Sequence, residues 1–132
     1  MASLFATLVL GISALGALFT AGSGILEPRV FAERLGLTVA NPGGDNEVRA
    51  QYGGFFLAVA VFCAASLAGV VPPRTALAVL AVLVSGLVAG RILSLFLNRG
   101  TAGYGFAVRA LCAIDAAGFA LSVGALVAGA SD

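Results

Sequence analysis

The chain has 132 residues, 61% of them hydrophobic and only 10% charged, with a net charge of +1. A soluble domain carries roughly 25% charged residues, and one this small needs them to stay solvated, so lipid is the fitting solvent. The sequence has no His and no Lys, which excludes His-ligated haem or zinc, an imidazole base and a lysine Schiff base. Nothing basic is concentrated enough to hold nucleic acid, and the lone cysteines Cys63 and Cys112 form no CxxC motif. No metal and no cofactor are expected.

About 20 apolar residues cross a bilayer, and four such runs occur. The first, from about residue 3 to 25, lacks the cationic start of a signal peptide and reads as a spanning helix. The long loop 1 follows. Within it "EPRVFAERLGL" predicts a short amphipathic helix over about 28–35, with Pro28 at its first position and Gly36 just past its end. Val30, Phe31 and Leu35 share one side, suited to the membrane interface. "NPGGDN" then reads as a turn, with Asp45 or Asn46 capping the second spanning helix. That helix is expected over about 46–71, stopping at Pro72-Pro73. The third is expected over about 75–97 and the fourth over about 106–129, joined by the short, Gly-rich loop 3, "NRGTAGYG". Alternating strand patterns are lacking, and an open sheet cannot span lipid. The expected fold is an all-α membrane protein over residues 1–132, a four-transmembrane-helix up-and-down bundle with a short amphipathic helix in loop 1.

The arginines set an orientation. Arg29, Arg34, Arg99 and Arg109, with Arg49 at the edge, fall in or beside loops 1 and 3, whereas Arg74 alone marks the other side. Positive charge stays inside, so loops 1 and 3 are expected to be cytoplasmic and both termini outside.

Two groups of polar residues interrupt the apolar runs. "NEVRAQYGG", residues 46–54, opens the second helix. At 100° per residue Arg49, Tyr52, Gly53 and Phe56 form one stripe, and Glu47, Gln51, Gly54 and Ala58 the next. Small and polar residues together suit a helix–helix face. Arg91 lies about 10 Å inside the third helix and Asp115 about 12 Å inside the fourth, both counted from the loop 1 and loop 3 side. Charge at depth demands a partner, and Arg91–Asp115 is the most economical pair. Gly86 and Gly90 beside Arg91, and Gly118 beside Asp115, offer close helix approach. Glu47, Arg49, Gln51, Tyr52, Arg91 and Asp115 are thus expected to converge as one buried polar cluster. It serves either as a register-setting network or as a pocket for a polar head or an anion.

The motif "NEVRAQYGG" resembles the N-E-[I/V]-R-A-x-Y-G-G signature of an uncharacterised family of small bacterial four-helix membrane proteins that carries only a domain-of-unknown-function label. The chain is also broadly similar to the DoxX-like four-helix proteins. Gly90-Arg91 and Asp115 extend the resemblance to the third and fourth helices. It implies a fold and a bacterial inner-membrane location, and no activity.

The functional expectation is a non-catalytic bundle that binds a lipid or lipid-like ligand, or an accessory subunit. Its partners are then membrane lipids, a lipid-like small molecule, and further copies or a larger membrane complex. No nucleophile–base pair is apparent. The alternatives are a membrane enzyme using acid–base chemistry on a lipid-like substrate, and a proton-coupled carrier working as an oligomer.

Overall fold

The computed structural model describes residues 3–129. Five helices account for the fold, with no strand among the described residues. They are α1 (Leu4–Leu26), α2 (Pro28–Arg34), α3 (Pro42–Leu67), α4 (Pro73–Leu97) and α5 (Phe106–Ala128). All but α2 are long and apolar enough to cross a membrane. The chain divides into two compact units. One is Leu10–Val71; the other takes the residues up to Val9 and those from Pro72 onward.

In the second of these, α4 packs along α5. Its core is small: Ala76, Leu77, Leu80, Ala81 and Ala125 are buried, and so is Ser122. Small side chains let helices approach where lipid gives no hydrophobic reward for association. The Ser122 hydroxyl donates to the Gly118 carbonyl at 2.8 Å, one turn back, so the buried hydroxyl is satisfied within its own helix. Leu10–Val71 has its own core of Leu10, Ala17, Ala21, Ala32, Val48, Ala60 and Cys63. Cys63 and Cys112 are both free thiols.

Two boundaries and one stretch of winding differ from expectation, each for a local reason. The second spanning helix starts at Pro42 rather than Asp45 or Asn46. Asn41 is its cap, accepting from the Gly44 amide at 3.1 Å, and Pro42 takes the first helical position, where its missing N–H is no loss. "NPGG" is therefore the first turn of the helix and not a turn before it. The same helix ends at Leu67, before the prolines. Gly69 adopts φ +78°, its amide reaches the Ser66 carbonyl, and the Val70 amide reaches that of Ala65, the paired bonds of a Schellman motif. Finally, α3 is not α-helical throughout: Arg49–Gly54, "RAQYGG", winds as a π-helix.

The end of α2 repeats the Schellman pattern, with Gly36 at φ +77°. So does the end of α4, but there the left-handed position is held by Arg99, at φ 54°. Its amide bonds the Phe96 carbonyl, and the Gly100 amide bonds that of Leu95. A side chain in this region costs roughly 1–2 kcal/mol. Arg99→Gly should therefore raise stability by about 1 kcal/mol, read as a higher unfolding temperature in detergent. A drop would mean that the Arg99 side chain contributes more than its backbone strain costs.

Candidate functional site

Within Leu10–Val71 the site is built around the end of α1. A Cβ on Gly24 would lie 3.0 Å from the Gly53 nitrogen and 3.1 Å from the Tyr52 carbonyl carbon, and one on Gly53 would lie 2.5 Å from Ile25 Cγ1. The two helices meet backbone to backbone here. The contact falls on the π-helical turn, whose amides bond five residues back, as the Phe55 amide does to Ala50.

That approach puts Arg49 under the C-terminus of α1. Its Nε donates to the Ile25 carbonyl at 3.2 Å. Ile25 lies in the last turn, where carbonyls have no intrahelical partner, so Arg49 caps α1. Its terminal nitrogens have no hydrogen-bond partner among the described residues. The next segment, α2, docks on the same turn. The Phe31 and Tyr52 rings are 5.0 Å apart and tilted by 53°, and Ala32 is buried. Arg29 meets Asp45 bidentately, Nε to Oδ1 and Nη2 to Oδ2, each 2.9 Å, with a longer Nε–Oδ2 bond of 3.3 Å. Asp45 holds the Arg29 guanidinium firmly protonated, raising its pKa by hydrogen bonding and charge. Arg29 is 59% exposed, where solvent screens an ion pair, so the pair fixes where α2 sits more than how stable the chain is.

These elements enclose an open cleft of about 260 Å³, lined by Glu27, Pro28, Arg29, Val30, Asp45 and Arg49. Arg29 and Asp45 cancel one another. The Glu27 carboxylate has no hydrogen-bond partner among the described residues. The open charges of the cleft are thus one guanidinium end, from Arg49, and one carboxylate, from Glu27.

The expected polar residues divide between the two units. Arg49 lines the cleft. Tyr52 supports α2 with its ring, and its hydroxyl makes no hydrogen bond among the described residues. Glu47 and Gln51 are exposed, as is Arg49, so this group is not buried. The interfacial stripe on α2 is also revised: Val30 is exposed, whereas Phe31 and Leu35 are half-buried, because α2 spends part of its apolar side on α3.

In the other unit Arg91 Nε donates to Asp115 Oδ2, with side chains 27% and 12% exposed. Arg91 lies six residues from the end of α4 and Asp115 nine from the start of α5, roughly 9 and 14 Å along their helices. One turn from Arg91, Ser94 shares a 2.7 Å hydrogen bond with the Tyr104 hydroxyl, and the Asn98 amide donates to Ser94 at 3.0 Å. Ser94, and then Asn98, hold the Tyr104 phenol below the ordinary tyrosine value. A Cβ at Gly86 or Gly90 would meet nothing within 4 Å in its own unit, so neither is a close-approach position there; at Gly118 it would make an ordinary 3.8 Å contact with Val84.

Arg29, Asp45 and Glu27 as cleft residues, and the Ser94–Asn98–Tyr104 group, escaped the sequence reading. The charge complement between the start of α2 and the start of α3 was the available signal for the first group. No three Cys, Asp or Glu side chains gather as metal ligands among the described residues.

The model of one family, described as Domain of unknown function (DUF4345), matches residues 5–123. The chain belongs to that family. No curated protein and no solved structure matches it.

Two substitutions separate these contacts from general packing. Gly24→Ala should destabilise by about 1–3 kcal/mol through overpacking against backbone. Gly22→Ala, which meets nothing within 4 Å, should stabilise by about 0.5–1 kcal/mol through helix propensity. Thermal unfolding in detergent reads the opposite signs; the same sign for both would remove the close contact. In the other unit, Arg91→Ala should cost about 1.5–3 kcal/mol by stranding a mostly covered carboxylate, against less than about 0.5 kcal/mol for Arg74→Ala, which is exposed and has no ion pair among the described residues. Equal unfolding temperatures would show that the Arg91 pair contributes nothing.

Proposed function

We propose that this member of an uncharacterised family is a small integral membrane protein that binds the phosphate-bearing head of a lipid or lipid-like amphiphile in the cleft between α2 and the start of α3. One observation carries the reading: Arg49, whose terminal guanidinium nitrogens have no hydrogen-bond partner among the described residues, lines a cleft at the ends of two helices, α1 and α3, each long enough to cross a membrane. A guanidinium offers phosphate paired, charge-assisted hydrogen bonds. The level also suits the reading, since helix ends of this length fall near the headgroups. Exposed Leu26 and Val30 beside the cleft supply apolar surface for a chain.

Arg91–Asp115 belongs to a separate role in this proposal, holding the register of α4 against α5. A bacterial inner-membrane location, which rests on the family resemblance, and cytoplasmic loops 1 and 3 with both termini outside, which rest on the arginine distribution, are part of the same proposal. The wider DoxX-like kinship rests on the sequence motifs and lends no activity. Non-catalytic binding is favoured over acid–base catalysis because the cleft pairs its Asp45 carboxylate with Arg29 and leaves only exposed Glu27 free.

The test is native mass spectrometry of the protein extracted from its membrane. A phospholipid-sized adduct is expected on the wild type and should fall about tenfold in Arg49→Gln, the loss of one charge-assisted contact. Arg74→Gln should keep it. An adduct equally abundant on Arg49→Gln would reject the cleft as the site.

A further inference from the structure

We infer that the cleft selects a zwitterionic head carrying both a phosphate and a primary ammonium, the chemistry shared by an ethanolamine phospholipid and free phosphoethanolamine. This rests on the binding reading above and narrows its ligand. The lining contributes two positive and two negative side chains, Arg29 and Arg49 against Glu27 and Asp45. Arg29 and Asp45 satisfy each other bidentately, which removes one of each from ligand binding. What remains is one cation and one anion, Arg49 and Glu27, on the same cleft.

A purely anionic head would satisfy Arg49 but bring its charge toward the Glu27 carboxylate, a like-charge contact. A quaternary ammonium balances Glu27 in charge but has no N–H to donate. A primary ammonium donates up to three hydrogen bonds, and Glu27 is free to accept one. Glu27 also precedes α2 as its flanking residue without capping it through its side chain. The carboxylate therefore makes no capping hydrogen bond to its own helix.

The experiment uses the full chain in nanodiscs of a phosphatidylcholine background doped with phosphatidylethanolamine or phosphatidylglycerol, read by native mass spectrometry after gentle detergent release. Phosphatidylethanolamine should be retained about three- to fivefold over phosphatidylglycerol, the ratio set by one exposed ion pair. Glu27→Gln should abolish that preference while phosphate-bearing lipids still bind. Glu27→Lys should reverse it toward phosphatidylglycerol. Glu27 is exposed and makes no side-chain hydrogen bond among the described residues, so both variants should fold, with unfolding temperatures as the control. Competition with soluble phosphoethanolamine and with inorganic phosphate identifies the source: displacement by millimolar phosphoethanolamine assigns the free compound, and its failure to displace assigns the lipid.

Equal retention of the lipids by the wild type, or a preference untouched by both Glu27 variants, would overturn the inference while leaving Arg49-dependent binding intact. Lipid retention that ignores Arg49→Gln would instead overturn the binding reading itself.

Discussion

The approach of α1 to the π-helical turn of α3 sets everything else in the loop 1 region. Gly24 and Gly53 let the two backbones meet without side chains between them. Only at that distance does the Arg49 Nε reach the Ile25 carbonyl. The chain leaves α1 at Leu26 and starts α2 at Pro28, so the docking of α2 inherits the position of α1. Phe31 then lands on Tyr52, and Arg29 on Asp45. The cleft is the space these contacts leave, and its two unpaired charges follow from which groups the contacts consume.

The two ion pairs among the described residues do different work, and their exposure decides which. Arg29 is mostly in solvent, which screens the pair and leaves it little weight in stability. Its value lies in two-point geometry, which orients a seven-residue helix that could not hold its own shape in water. Asp115 is mostly covered. A carboxylate removed from solvent on a lipid-spanning helix is costly without a partner, so Arg91–Asp115 penalises any shift of α4 along α5. A hydrophobic pair at these positions would pack as well but would tolerate a one-turn slip.

The spans were legible in the sequence because lipid demands long apolar runs, and that demand is written in composition. The ends of α2 were legible because Pro28 and Gly36 each suit one helix position. Pairing Arg91 with Asp115 needed only depth, which follows from helix rise. The rest failed for identifiable reasons. Asn41-Pro42 is equally a turn signal and a cap followed by a first helical residue, and the sequence does not separate them. Gly69 was passed over for the louder Pro72-Pro73. The partner of Arg49 is a backbone carbonyl, which has no residue signature at all. Arg29 and Asp45 are sixteen residues apart, and no local period connects them. Tyr104 sits in a Gly-rich loop whose path was not foreseeable, so Ser94 and Asn98 had no visible partner.

The π-helical turn explains the largest error of phase, and it is a requirement of this packing more than a blemish in the helix. Val48 and Gly53 are both buried, five residues apart. In an α-helix five residues turn the chain roughly 140° away from its starting face, so one of the two would point outward. A winding in which each amide bonds five residues back stacks them on one side. After the turn the buried positions Ala60 and Cys63 are three apart, the ordinary α spacing. The stripes drawn at 100° per residue through Arg49, Tyr52 and Gly53 therefore broke at the motif itself. The wider turn lets the polar start of α3 turn Asp45 to Arg29 while the apolar remainder keeps its own inward face. A uniform α-helix would satisfy one of these demands and forfeit the other. In lipid an irregular backbone is tolerated only where its polar groups find partners in protein or water. This turn lies near the start of its span, beside the open cleft, where both are within reach.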